Sequence, residues 1–131
     1  MASVRREIQV TASPAGVWEA VRDVGGPHKR LAPGFLTDTR MEGDARVVTF
    51  ANGIVARELI VDVDDTARRL VWSVVGGRLT HHNASLQVFE GPGSGSTVVW
   101  IADLLPHELR DAIAGLIDQG MAVMQRTLSR S

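Results

Sequence analysis

A glutamate set in an apolar stretch and two adjacent histidines are the side chains of this sequence best suited to orienting or moving a proton. Glu58 stands within Ala56-Arg57-Glu58-Leu59-Ile60, and His81 and His82 fall within Leu79 to Phe89. A carboxylate facing an apolar pocket needs a partner or takes a raised pKa, and it can accept a ligand hydroxyl's hydrogen bond or serve as a general base. The alternative is a solvated strand glutamate paired with a neighbouring base. Histidine, with an ordinary pKa near about 6.5, exchanges protons around neutrality. On a strand, neighbours point to opposite faces, so His81 and His82 cannot chelate one metal together. His28 and His107 have no partners at ligand spacing, and no metal site is expected. With no cysteine there is no thiolate nucleophile, disulfide or cysteine metal site. Tyrosine is also absent, and no serine sits in a nucleophile elbow. Gly91-Pro92-Gly93-Ser94-Gly95 leads into a strand and not a helix, so it is a hairpin loop rather than a dinucleotide fingerprint. No cofactor is called for.

The elements that must position these groups follow from periodicity. Val4 to Thr11 alternates as a half-buried strand does. Ser13 caps a short helix with Pro14 at its first position, and Val17, Trp18, Ala20 and Val21 form its apolar side. Gly25-Gly26-Pro27 ends it, and a second short turn covers His28 to Leu31. Six further strands are expected: Phe35 to Met41, Arg46 to Ala51, Gly53 to Val63, Arg68 to Val75, Leu79 to Phe89 and Ser96 to Leu105. Asn52-Gly53 supplies a tight hairpin between the second and third of these. The connections leave no room for crossover helices, which makes the sheet an antiparallel meander. From Pro106 to the end, Leu109, Ile113, Leu116, Ile117, Gly120, Met121, Met124 and Leu128 share one side of a long amphipathic helix. Pro106 suits its first position and Glu108 its first turn, while Arg126 and Arg130 complement the dipole at its far end.

A chain of 131 residues, 44% hydrophobic and 22% charged, fits one domain with one core, spanning 1-131. A formal net charge of -1 with no run of like charges argues against nucleic acid and anionic membrane surfaces. The N-terminus has no signal-peptide core and no segment reaches membrane-span length. A cytoplasmic protein, monomeric or a homodimer, is expected.

The order of strand, two short helices, six strands and a long C-terminal helix resembles the α+β helix-grip fold of the SRPBCC superfamily. That superfamily includes START lipid-transfer domains, the birch-pollen allergens, bacterial polyketide cyclase/dehydrase-like proteins and plant abscisic-acid receptors. Ala12-Ser13-Pro14-Ala15-Gly16-Val17-Trp18, followed by Val24-Gly25-Gly26-Pro27-His28, looks like the start of the polyketide cyclase/dehydrase-like members. Glu58, Asp64-Asp65, Trp72-Ser73-Val74-Val75-Gly76-Gly77 and Asn83 are similar in order and spacing to the matching part of the abscisic-acid receptors. The resemblance implies a cavity between a curved sheet of about seven strands and the last helix, holding a small, mostly apolar or aromatic molecule. It also implies that Glu58 faces that cavity, with Ile54, Ala56 and Ile60 on the same side and Arg57 outside. Trp72, Val74, His82, Ala84 and Leu86 follow on the inner face, and Ile113, Ile117 and Met121 on the helix. Trp100 is left open by parity, and the receptor comparison favours Ile101, with Val99 and Asp103, as the inward set. The receptors close their pockets with loops equivalent to Ala51-Asn52-Gly53-Ile54 and Gly76-Gly77-Arg78-Leu79. Both differ here, so neither a hormone-receptor role nor a phosphatase partner follows.

Gly120, flanked by Met121 and Met124, leaves a gap in the helix face bordered by adaptable side chains. A glycine there costs about 1 kcal/mol against alanine, so either open space or close approach is needed at that point.

Two function classes remain. One is a binding or carrier module for a lipid, polyketide or other aromatic metabolite, with Glu58 and His82 orienting the polar end. The other is an aromatic polyketide cyclase/dehydratase, with Glu58 and His82 as catalytic candidates. Cyclases of this kind rely on several polar pocket groups, including tyrosine or arginine. Tyrosine is missing and the arginines are expected mostly in turns or outward positions, which favours binding over catalysis.

Overall fold

The N-terminal segment Ala2–Val10 forms β1, its alternation visible as buried Ala2, Val4 and Val10 against exposed Ser3 and Arg5. The computed structural model describes residues 2–129, so Arg130 lies outside the described residues. Ser13 caps α1 (Pro14–Arg22), its hydroxyl accepting from the Gly16 amide at 3.1 Å. Val17, Trp18, Ala20 and Val21 are the buried side of that helix. A single turn, α2 (Pro27–Arg30), follows, with Pro27 at its start where a missing N–H is harmless. Six strands come next: β2 (Leu36–Glu42), β3 (Ala45–Phe50), β4 (Val55–Asp64), β5 (Arg69–Val75), β6 (His81–Glu90) and β7 (Ser96–Leu105).

The seven strands form one sheet in the order β1-β7-β6-β5-β4-β3-β2, antiparallel throughout. Strands β2 to β7 are the expected meander, and β1 closes against β7 with α1 and α2 filling the connection to the opposite edge. The β3–β4 turn puts Gly53 at φ 90, a conformation that a side chain would strain. Ser96, fully buried, donates from its hydroxyl to the Ala12 carbonyl at 2.7 Å and ties the end of β1 to the start of β7.

The last helix differs from expectation at its start. Pro106 is extended (ψ 156) and precedes a short 3-10 turn, His107–Leu109, from which α3 (Arg110–Leu128) continues. The first turn is tighter than an α-helix, as helix ends often are. Asp111 is the acidic residue of the first turn of α3 and Arg126 the basic residue of its last. The helix lies along β1: the Arg6 guanidinium pairs with Asp118 at 2.6 Å, Gln125 donates to the Gln9 carbonyl at 3.2 Å, and the Ala12 amide donates to the Leu128 carbonyl at 3.1 Å. Ala114, Ile117, Gly120, Met121, Met124 and Leu128 are its buried face. Among the described residues, no helix is long and apolar enough to cross a membrane.

Candidate functional site

The β3–β4 hairpin turns about Asn52, so that residues equidistant from it face each other, and Arg46 is thereby set opposite Glu58. Their side chains meet on the concave face, Arg46 Nε donating to Glu58 Oε1 at 2.7 Å, and both residues are more than nine-tenths buried. Arg46 Nη1 also donates to the Val24 carbonyl at 3.3 Å, and the guanidinium lies 5.6 Å from the Trp72 ring, close enough for a cation–π contact. Two buried charges are tolerable here because each neutralises the other and extra polar contacts replace lost water.

The next strands extend the row. Val74 of β5 lies opposite Glu58, and His82 of β6 follows beside it. The Val74 amide donates to His82 Nδ1 at 3.0 Å. That bond requires an unprotonated Nδ1, so the hydrogen of the neutral ring sits on Nε2. Burial pushes the His82 pKa down to about 4, with repulsion from His81 adding to it and Asp103 opposing it. The imidazole is therefore uncharged at neutral pH.

Between this wall and α3 lies a cavity of about 120 Å³. Arg46, Glu58 and His82 are its three titratable lining residues, and the rest of the wall is apolar, including Phe35, Phe50, Trp72 and Trp100. Trp72 and Trp100 meet edge-on, centroids 5.6 Å apart, as do Phe35 and Phe50 at 5.4 Å. A second, more polar hollow of about 380 Å³ borders the β5–β6 turn and shares Val74 and His82 with the first. Among the described residues, no three His, Cys, Asp or Glu side chains gather to hold a metal ion.

The sequence profile for "Polyketide cyclase / dehydrase and lipid transport" matches residues 1–130. The chain belongs to this polyketide cyclase/dehydrase and lipid transport family. No curated protein has a sequence that matches it. Among solved structures, an uncharacterised protein from Bacillus thuringiensis superposes with a TM-score of 0.87 at 19% identity, over 97% of this chain and 98% of that one. A protein from Thermobifida fusca gives 0.80 at 29% identity, over 98% and 91%. Norcoclaurine synthase from Thalictrum flavum gives 0.72 at 17% identity, over 97% and 93%. The solved neighbours share the helix-grip fold, and the family matched over residues 1–130 is of the SRPBCC type.

Within this family member, the cavity wall contains Glu58, Trp72, Val74, His82, Leu86, Ile113, Ile117, Gly120 and Met124 from the expected set. Other residues expected to face the cavity, Ala56 among them, are not part of its wall. Ile101 is 38% exposed on the outer face, because β7 turns Val98, Trp100, Ala102 and Leu104 inward. The receptor comparison thus chose the wrong parity, and Trp100 takes the inward place. Ile60 is half-buried and packs on the core beneath the cavity, next to a register shift between Ile60 and Asp62. Ala84 and Met121 are buried in the same core without reaching the cavity. Ile54, also expected inward, is 53% exposed in the β3–β4 turn.

Arg46 is an exception to the expectation that the arginines mostly lie in turns or outward. A two-residue Asn52-Gly53 turn would have paired Arg46 with Leu59, whereas the observed register is centred on Asn52 and pairs Arg46 with Glu58, so the turn dipeptide did not signal this contact. The Phe35 segment was missed too. It follows Gly34, at φ 89, and lines the cavity from outside the regular strand. Gly120 needs close approach, not emptiness: a Cβ there would meet Phe35 Cε2 at 3.1 Å and Trp100 Cζ3 at 3.3 Å.

Proposed function

We propose that this protein binds a small, largely apolar molecule in the cavity between its sheet and α3, with Arg46, Glu58 and His82 meeting the polar part. The supporting observation is an apolar hollow lined by an ion pair from β3 and β4 and by a neutral imidazole from β6, one strand further along. Apolar walls supply affinity and a few converging polar groups supply orientation. Its volume, about 120 Å³, approaches the roughly 150 Å³ of an engineered apolar cavity that holds benzene. The cavity is thus of the order of a single ring in size and smaller than a lipid or an extended polyketide.

Trp72 and Trp100 line the cavity and report occupancy by their fluorescence. Native mass spectrometry of the purified protein, combined with tryptophan-monitored titration of phenol, tests the proposal. A co-purifying small molecule or a saturable emission change at the cavity is expected; neither appearing would defeat it.

The second reading is an enzyme that moves protons on a bound carbonyl compound, and it is favoured by Arg46. With Glu58 and His82, the cavity holds the set of polar groups that acid–base catalysis uses, despite the absence of tyrosine. Norcoclaurine synthase shares the fold and is an enzyme. Binding remains preferred because the Glu58 carboxylate is already engaged by Arg46.

A further inference from the structure

The bonding around the Arg46–Glu58 pair is incomplete on one side. Arg46 uses Nε and Nη1, and Glu58 uses Oε1. Among the described residues, no fully buried side-chain nitrogen or oxygen lacks a hydrogen-bond partner. Arg46 Nη2 and Glu58 Oε2 make none, so neither is sealed off completely, and both residues line the cavity. His82 Nε2–H also has no partner among the described residues, and His82 borders both this cavity and the polar hollow by the β5–β6 turn. The wall thus presents a guanidinium donor beside a carboxylate acceptor, with an imidazole donor past Val74.

The charge balance restricts what can occupy it. Arg46 and Glu58 cancel, His82 is neutral, and among the described residues the cavity wall offers no further charge. A buried anion would face Glu58 with Arg46 already committed, and a buried cation would face Arg46; either would enter a low-dielectric site without a free counter-ion. A purely apolar guest would leave the open donor and acceptor without water or partner. We infer that the ligand of this site is a neutral single-ring molecule carrying an acceptor next to a donor, as in a carboxamide or an adjacent hydroxyl and carbonyl. The acceptor takes the Arg46 Nη2 hydrogen and the donor gives to Glu58 Oε2. This assignment rests on the binding function proposed above.

Benzamide, benzoate and toluene separate the possibilities, since the first two share shape and differ in charge, while the third lacks polar groups. Binding is read by isothermal titration calorimetry at pH 7.5 on the wild-type chain and on the double variant Arg46→Met/Glu58→Leu. Replacing a buried ion pair by apolar residues is commonly neutral or stabilising, so that variant should fold, and its circular dichroism and melting curve verify this. The wild type should prefer benzamide over benzoate and over toluene by at least about tenfold, the equivalent of about 1.4 kcal/mol. In the double variant, the order should reverse in favour of toluene. Benzoate binding the wild type as well as benzamide does, or a benzamide preference that survives the double substitution, would overturn the inference. If toluene binds the wild type and benzamide gains nothing over it, the cavity function stands and the ligand class is wrong. If none of the three binds either protein, the binding function itself fails, and the ligand class with it.

Discussion

At the scale of single residues, the buried ion pair dominates. Truncating one partner strands the other charge away from water, so Glu58→Leu alone should destabilise by about 3–5 kcal/mol in urea unfolding. The double variant Arg46→Met/Glu58→Leu should recover most of that loss, a strongly non-additive pattern expected for groups in direct contact. Near-additive losses would mean the pair is solvated. His82 sets a pH dependence. Its folded pKa, lowered to about 4, lies below the ordinary 6.5, so between these values the unfolded chain binds more protons. Stability is full above about pH 6.5 and falls as pH drops toward 4, by about 2 kcal/mol once partial solvent access is discounted. The wild-type urea midpoint should drop more than that of His82→Asn between pH 7 and 4.5; equal drops would remove His82 from this role.

At the scale of elements, α3 carries a glycine where its face meets two aromatic rings. Gly120→Ala gains about 1 kcal/mol of helix propensity, but the added methyl lies 3.1 Å from Phe35 and 3.3 Å from Trp100. Overpacking of this kind costs about 1–3 kcal/mol. A net lowering of the melting temperature is expected, with relief in Gly120→Ala/Phe35→Leu, where the nearer ring is gone. A simple rise in melting temperature for the single variant would show that the rings yield freely. The α1 helix is held differently: Trp18 Nε1 and the Arg22 guanidinium both donate to Asp65 at 2.8 Å, clamping the helix to the β4–β5 turn.

For the whole molecule, the cavity exists because α3 lies along β1 while the meander carries the polar row away toward β3 and β2. Phe35, reaching α3 from the start of β2, fills the space the helix leaves. Phe35→Ala should enlarge the cavity and admit a second fused ring. In the same titration, 2-naphthamide should bind Phe35→Ala at least about tenfold more tightly than the wild type, with some loss of intrinsic stability. Equal affinities would place the limit on size elsewhere.

Much of the fold was legible in the sequence. Alternation from Val4 onward, the Asn52-Gly53 turn and the 3.6-residue stripe of α3 each specify local geometry, while the way the sheet closes on the helix came from the resemblance of their order to the helix-grip fold. Glu58 and His82 stood out in the sequence as candidates, and the family resemblance implied that they face inward. Only the tertiary structure decided which parity β7 adopts, because Val99 and Ile101 are as apolar as Trp100 and Ala102 and alternation between two apolar sets carries no signal. The tertiary structure alone also brought Phe35 onto Gly120 across the whole fold, since packing between elements distant in the chain depends on the curvature of the sheet, and no periodicity in one segment records that curvature.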